Sequence, residues 1–268
     1  MTVQFCSFAS GSSGNCYLVK DEDTAILIDA GISGKRIFQG LEDTGTPKEM
    51  VKALLVTHEH IDHVKSIPIV SKKLPNVKVH ANAATWAACE RPVADERKSV
   101  FTTGEDFYVG DFIIRPFPVS HDAAEPVGFS IYRGDKQISI VTDSGYVSDE
   151  IADEITDADI LVLEANHEKE MLLFGSYPYN VKQRILSDEG HLSNIAAGQC
   201  LARIVSTRAK KRHVLLGHLS HENNTPEVAM QAVVNTLQEE QVYIGGDLQV
   251  QVAARDCLSR IYEMEIEL

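Results

Sequence analysis

The densest chemistry in the sequence is Thr57-His58-Glu59-His60-Ile61-Asp62-His63, directly after the apolar run of residues 53–56. His58, His60, Asp62 and His63 place four metal-donor side chains within six residues, too many for an ordinary surface loop. Side chains two apart in extended chain share a face, so His58 and His60 point the same way. Asp62 and His63 then start the next helix, where an aspartate also suits the cap region. Imidazoles mixed with carboxylates favour zinc, manganese or iron over calcium or magnesium. A second run, Val214-Leu-Leu-Gly-His218-Leu-Ser-His221, echoes Ala53-Leu-Leu-Val-Thr-His58-Glu-His60. Two buried strands that each end in histidines bring those side chains together at one end of a sheet, where open α/β sheets place their sites. The echo implies two similar halves with a site between them.

The elements that must position these residues follow from the hydrophobic pattern. Short runs rich in Val and Ile alternate with longer helical patterns, the mark of an α/β fold. The pattern predicts strands over residues 3–8, 16–20, 25–29, 53–57, 78–81, 112–118, 127–132, 137–142, 160–164, 213–217 and 243–244. It predicts helices over residues 34–43, 63–73, 82–89, 148–155, 193–206 and 225–239. The last has a strong start, with Thr225 as N-cap, Pro226 in the first turn and an acid at Glu227. No Pro/Gly/Ser tract or like-charge block divides the chain, so residues 1–268 are expected to form a single domain.

Composition limits the class. Apolar residues make up 44% and charged residues 24% of 268, ordinary values for a soluble globular protein. No apolar stretch is long enough to span a membrane, and the first residues lack a secretory signal. Five scattered cysteines with no C-x-x-C pair read as free thiols in a reducing compartment, so the expected location is cytoplasmic. The net charge of −14 opposes nucleic-acid binding unless it is unevenly placed or offset by bound cations.

The H-x-H-x-D-H run resembles the signature of the metallo-β-lactamase superfamily, and the rest of that pattern can be found along nearly the whole chain. Its early aspartate matches Asp29, in Ala25-Ile-Leu-Ile-Asp-Ala-Gly. Its third histidine matches His121 in Pro118-Val-Ser-His-Asp, and its bridging aspartate matches Asp143 in Ser139-Ile-Val-Thr-Asp-Ser-Gly. Its last histidine matches His218. The resemblance implies an αββα sandwich of two mixed sheets flanked by helices. It implies one metal held by His58, His60 and His121, and a second held by Asp62, His63 and His218, with Asp143 bridging. Asp29 would orient the loop from behind. Two divalent ions about 3.5–4 Å apart share a water, lower its pKa and offset charge on attacking and leaving oxygens. Asp62 would also orient the bridging hydroxide.

Three features narrow the branch. Asp143 stands where true β-lactamases commonly supply a cysteine or nothing, and His60 is intact where flavodiiron oxidoreductases differ. Leu163-Glu-Ala-Asn-His167 and Gly190-His-Leu-Ser-Asn194 are similar to paired elements of the tRNA-processing ribonuclease Z enzymes. That likeness implies that Glu164 holds His191, and that His191 acts as general acid on the leaving oxygen. His167 departs from the ribonuclease pattern and is expected to be an extra surface or substrate-contacting histidine. The runs starting at Phe8, Asp29, Tyr177 and His218 look like the bacterial YycJ (WalJ) nuclease group, and the likeness covers residues from about 5 to 250. It implies 5′-to-3′ exonuclease action on double-stranded DNA, linked to mismatch repair and cell-wall stress signalling. About 75 residues separate Asp143 from His218, too few for the inserted domain of the β-CASP nucleases.

Substrate grip is open to two readings at each place. Ser10, Ser12, Ser13 and Asn15 form a polar, glycine-containing loop that can offer N–H groups to phosphate, or simply turn a hairpin. Tyr177 and Tyr179 can stack on a base or pack in the core. Lys182 and Arg184 can contact phosphate or line a solvated face. Lys210, Lys211 and Arg212 read as solvated helix-end charge. The expectation is a dinuclear-metal phosphodiesterase acting on double-stranded DNA, using zinc, manganese or iron, with no membrane association and no protein partner specified. The alternative is a thioester or lactone hydrolase on the same scaffold. Those enzymes usually carry G-H-T-P-G-H around the third histidine, where this chain reads Val119-Ser-His-Asp-Ala-Ala-Glu-Pro. A third reading, a metal-binding regulator without turnover, leaves Glu164 and His191 without a purpose.

Overall fold

The structure, a computed structural model, describes residues 1–267. The first half runs β1 (Thr2–Ala9), β2 (Cys16–Lys20), β3 (Ala25–Ile28), α1 (Gly34–Asp43), β4 (Val51–Leu55), α2 (Ile61–Val64), α3 (Ile67–Lys73), β5 (Lys78–Ala81), α4 (Ala83–Ala88) and β6 (Lys98–Val100). The second begins with β7 (Phe107–Val109), β8 (Phe112–Pro118), β9 (Val127–Arg133), β10 (Lys136–Val141), α5 (Asp149–Ile155) and β11 (Ile160–Glu164). It continues through α6 (Lys169–Phe174), α7 (Tyr179–Ile185), α8 (Asn194–Thr207), β12 (Arg212–Gly217), α9 (Pro226–Glu239), β13 (Leu248–Val252) and β14 (Tyr262–Glu265).

Two seven-stranded mixed sheets result, in the orders β14-β1-β2-β3-β4-β5-β6 and β13-β12-β11-β10-β9-β8-β7. Each joins an antiparallel meander to a parallel run: β3 to β6 are parallel in the first sheet, and β10 to β13 in the second. This is the repetition that the echo implied. β4 and β12 each lead into histidines but stand at different places, β4 third from the β6 edge and β12 second from the β13 edge, so the echoing strands are not equivalent in the two sheets. Alternate residues of a strand face opposite ways, which builds three apolar layers. Phe5, Tyr17 and Ile28 of the first sheet meet Phe112, Phe129 and Val162 of the second in the layer between the sheets. Outside the first sheet, Leu27 and Leu54 pack with Ile37 of α1 and Val70 of α3. Outside the second, Leu161 and Val214 pack with Ile151 of α5, Leu201 of α8 and Val233 of α9. Each such side chain contributes about 1.5–3 kcal/mol on burial. The result is the expected αββα sandwich.

The helix starts are local and legible. Asn82, Ser148, Ser193 and Thr225 each accept a hydrogen bond from the backbone N–H three residues on, at 2.8–3.2 Å. The expected helix over residues 63–73 is instead two. Ser66 N–H donates to Ala30 O at 2.8 Å and its hydroxyl to Ile32 O at 2.6 Å, tying the chain to the β3–α1 loop. Pro68, which has no N–H, sits in the first turn of α3, where a missing donor is tolerated, so a helix starts afresh there. No strand forms at residues 243–244. Gly245 and Gly246 take φ of 130° and 55° in a turn there, and the strand begins at Leu248. Arg212 is not solvated: it is 1% exposed, and its Nη2 donates to Arg208 O at 2.7 Å.

Candidate metal centre

Asp29, the 57–63 segment, His121, Asp143, Glu164 and His218 all stand at or just beyond the C-terminal ends of β3, β4, β8, β10, β11 and β12. In three of these the chain leaves the strand through a left-handed residue: Asp29, Asp143 and His218 have φ of 59°, 57° and 53°. Asp and His tolerate this region better than most residues, yet it costs on the order of 1 kcal/mol or more each. Surrounding bonds hold the turns. Asp29 N–H donates to Leu55 O at 2.8 Å, His218 N–H to Ser10 Oγ at 3.0 Å, and Asn166 Nδ2 to His218 O at 2.9 Å. Strain of this kind at strand ends re-aims the side chains into one place.

Two groups of donors result. His58, His60 and His121 form one, and Asp62, His63, Asp143 and His218 the other, the donor atoms within each lying within 4.8 Å of one another. In the first, His121 Nε2 is 3.3 Å from His60 Nδ1, while His121 Nδ1 faces Gly190 O at 3.0 Å. In the second, Asp62 Oδ2 is 3.5 Å from both His63 Nε2 and His218 Nε2. Asp143 lies between the groups. Its Oδ2 is 3.2 Å from His63 Nε2 and 2.7 Å from His218 Nδ1, and its Oδ1 is 3.8 Å from His121 Nε2. Behind them Asp29 Oδ2 accepts from His63 Nδ1 at 2.7 Å, and Asp29 Oδ1 from Thr57 N at 3.0 Å. The aspartate therefore sets both the ring of His63 and the course of the histidine loop.

The electrostatics are those of acids awaiting cations. Burial lowers the pKa of His58, neighbouring imidazoles lower it further, and it ends well below the ordinary value, in the neutral form that ligates metals. Burial opposes charge on His63 too, but Asp143, Asp29 and Asp62 more than offset it and hold its pKa well above the ordinary value. His218 behaves likewise beside Asp143 and is pushed up to about 10. Burial would raise Asp62, yet His63 and His218 hold its carboxyl well below the usual range.

The donors fit divalent metals on their geometry as well. His58 Nε2 is buried with no hydrogen-bond partner among the described residues. Asp143 Oδ2 and His218 Nδ1 approach to 2.7 Å but are not aligned as a hydrogen bond, and both are otherwise unpartnered among the described residues. Buried polar atoms left in this state cost free energy, and here they converge on shared points. The clusters suit a dinuclear centre, which would displace the imidazole protons on binding.

A third group adjoins. Glu164, fully buried, accepts from His191 Nδ1 at 2.8 Å and, on its other oxygen, from Ser144 N at 2.9 Å and Leu192 N at 3.3 Å. His191 Nδ1 is 3.8 Å from Asp143 Oδ1. Burial lowers the His191 pKa, but the charge and hydrogen bond of Glu164 outweigh it and leave it raised.

Other residues fall differently from expectation. His167 is not a surface or substrate-contacting histidine: it is 2% exposed and bridges to Ser193 at the start of α8, its carbonyl accepting from Asn194 N at 3.0 Å. His221 points to solvent beside Glu222. Asn15, considered only as part of a phosphate loop, is buried with Nδ2 3.2 Å from His63 Nε2 and its N–H donating to Asp62 O at 2.9 Å. No residue pattern marks that role; only the fold brings residue 15 to residue 63. Arg184 pairs with Asp122, its Nη2 at 2.9 Å from Oδ1, beside His121.

One close approach is unforgiving. A Cβ on Gly31 would lie 1.5 Å from Asp62 O and 2.8 Å from Asn15 N. Gly31→Ala is therefore expected to displace the Asp62 loop, costing about 3 kcal/mol or more and lowering Tm by roughly 6 °C or more. Thermal melts with metal analysis check this; an unchanged Tm and full metal content would contradict the packing.

Comparison with known proteins bears on the same residues. Residues 24–219 match the Beta-lactamase superfamily domain. The chain is 38% identical to "Exodeoxyribonuclease WalJ" of Streptococcus pneumoniae over 97% of its own length and 98% of that protein. It is 37% identical to "Exodeoxyribonuclease YycJ" of Bacillus anthracis, covering 91% of this chain and 93% of that one. In fold it is similar to the metallo-beta-lactamase fold protein YhfI from Bacillus subtilis, with a TM-score of 0.72, 19% identity and 98% and 99% of the two chains covered.

Proposed function

Because the chain belongs to the beta-lactamase superfamily, in the family of the WalJ and YycJ proteins, we propose that it is a dinuclear-metal exodeoxyribonuclease that degrades double-stranded DNA from the 5′ end. The observation that carries this reading is the Glu164–His191 pair beside the two donor clusters. A phosphodiester expels an alkoxide, which needs a proton, whereas a thioester expels a thiolate that does not; against a lactone the likeness to WalJ and YycJ decides.

In this reading His58, His60 and His121 would hold one ion and Asp62, His63 and His218 the other, with Asp143 between the two groups able to serve both. Zinc, manganese and iron suit the mixed imidazole and carboxylate donors. Bound there, divalent ions supply an acidified water and positive charge for the phosphate oxygens. The protein's own groups do the rest. Asp29 fixes the ring of His63 through Nδ1. Asp62 turns its carboxylate toward the space between His63 and His218 and orients the attacking water there. Glu164 fixes Nδ1 of His191 as a donor and stabilises the imidazolium, so the proton for the leaving oxygen comes from Nε2. The convergent acids become acceptable to a polyanion once cations offset them, which answers the objection raised by a net charge of −14.

The test is degradation of end-labelled duplex DNA, 5′-phosphorylated or 5′-hydroxyl, by protein reconstituted with manganese, zinc or iron. Stepwise loss from the 5′ end is expected. Inert DNA alongside hydrolysis of a thioester or lactone panel would replace this reading with the small-molecule one.

A further inference from the structure

The segment of α6 and α7, residues 169–185, has no part in the chemistry above, yet it is fastened to the site at both ends. At its start Glu168 N–H donates to Asn223 O at 2.9 Å, in the loop that follows His218. At its finish Arg184 pairs with Asp122, next to His121, and His191 N–H donates to Ile185 O at 3.0 Å. Between those anchors the tip carries the most exposed large apolar side chains of the described residues: Phe174 is 83% exposed and Tyr179 is 77%. The tip is held in place. Lys182 Nζ donates to Leu173 O at 2.8 Å and Gly175 O at 2.7 Å, fastening the end of α6 to α7. A Cβ on Gly175 would meet Met171 O at 2.6 Å, so the turn is tight. Two exposed aromatics at the facing ends of α6 and α7, in a segment fastened to the loops of His121 and His218, imply a partner.

Resting on the nuclease reading, we propose that Phe174 and Tyr179 form a stacking platform for bases at the end of the DNA, placing the terminal phosphodiester at the metal centre. Charge selects this occupant. Arg184 is neutralised by Asp122, but within the segment Lys169 and Lys182 still stand against the single acid Glu170, a local excess of positive charge next to the phosphodiester site within a chain of net charge −14. Every base has a π-face that an aromatic ring can cover without regard to sequence, as an exonuclease needs, and each stack contributes about 5- to 150-fold in affinity. The aromatic rings also meet the substrate outside the reacting atoms, so they act on binding.

The experiment compares wild type with the Phe174→Ala/Tyr179→Ala double variant, both metal-reconstituted. KM and kcat are measured on duplex DNA. Fluorescence is followed with 2-aminopurine at the end of a duplex capped by phosphorothioate linkages, which resist hydrolysis. The double variant is expected to raise KM about tenfold or more with kcat changed little, and to lose the fluorescence change on binding. Phe174→Trp and Tyr179→Phe keep the rings and are expected to keep both signals. Unchanged KM and fluorescence in the double variant, with wild type active on DNA, would overturn the platform alone. A wild type that leaves DNA intact would overturn the nuclease reading and the platform with it. A dimer in the sedimentation of wild type that becomes monomer in the double variant, with DNA binding unchanged, would assign the patch to a second copy of the chain and overturn the platform.

Discussion

Asp62→Ala is expected to abolish cleavage of DNA and to remove most of one equivalent of bound metal. The carboxylate reaches both His63 Nε2 and His218 Nε2 at 3.5 Å, so it completes the second donor group and faces the space between its two imidazoles. Without it the second group loses one of its donors and the negative charge that offsets a bound cation, a loss that outweighs the easier deprotonation of His63 and His218. Metal assistance contributes several kcal/mol to the barrier, so the rate should fall by about 10³-fold or more. The fold should survive, because residue 62 supports the neighbouring loop through its backbone, Asn15 N–H to Asp62 O at 2.9 Å, which alanine retains. Elemental analysis and end-labelled DNA, with circular dichroism as the control for folding, check the result. Full activity, or two retained equivalents, would sink the site assignment.

His191→Ala separates proton transfer from metal binding. The two metals should remain, since His58, His60, His121 and the Asp62 group do not depend on it, while turnover should fall by about 10²–10⁴-fold. The pH profile gives a second readout. Burial lowers the His191 pKa, but the fully buried Glu164, accepting at 2.8 Å, outweighs it and leaves it raised. A raised pKa keeps the proton to higher pH, so activity that needs protonated His191 persists above the ordinary value of about 6.5 and declines as pH rises through the raised one. In the variant that decline should vanish. Unchanged turnover, or the same falling limb without residue 191, would remove the general-acid role.

Both predictions begin from residues that local sequence exposes unevenly. His58, His60, Asp62 and His63 are legible because the chain crowds them and places them after an apolar strand. His121 and Asp143 are single residues in short loops, and only likeness to a family pattern picked them out. The burial of His167 and of Arg212 was not legible at all. Both are polar residues beside loops, and what covers them comes from elements remote in the chain. Tyr179 illustrates the converse: an aromatic flanking Pro178 has the composition of a core residue, yet it stands exposed among the described residues.

The sequence by itself determined the alternation of strands and helices, the N-cap at Thr225, the helix starts at residues 82, 148 and 193, and the central strands, because each rests on neighbours a few residues away. It left out β6, β7, β13 and β14, three to five residues each at or near the sheet edges, whose pairing partners lie elsewhere in the chain. It also joined α2 to α3, whose separation depends on Ser66 bonding back to Ala30 and Ile32. Above all, the tertiary structure decided the centre itself. Left-handed turns at Asp29, Asp143 and His218 are affordable only where neighbouring strands and loops hold them, and those turns aim carboxylates and imidazoles from two sheets into one place.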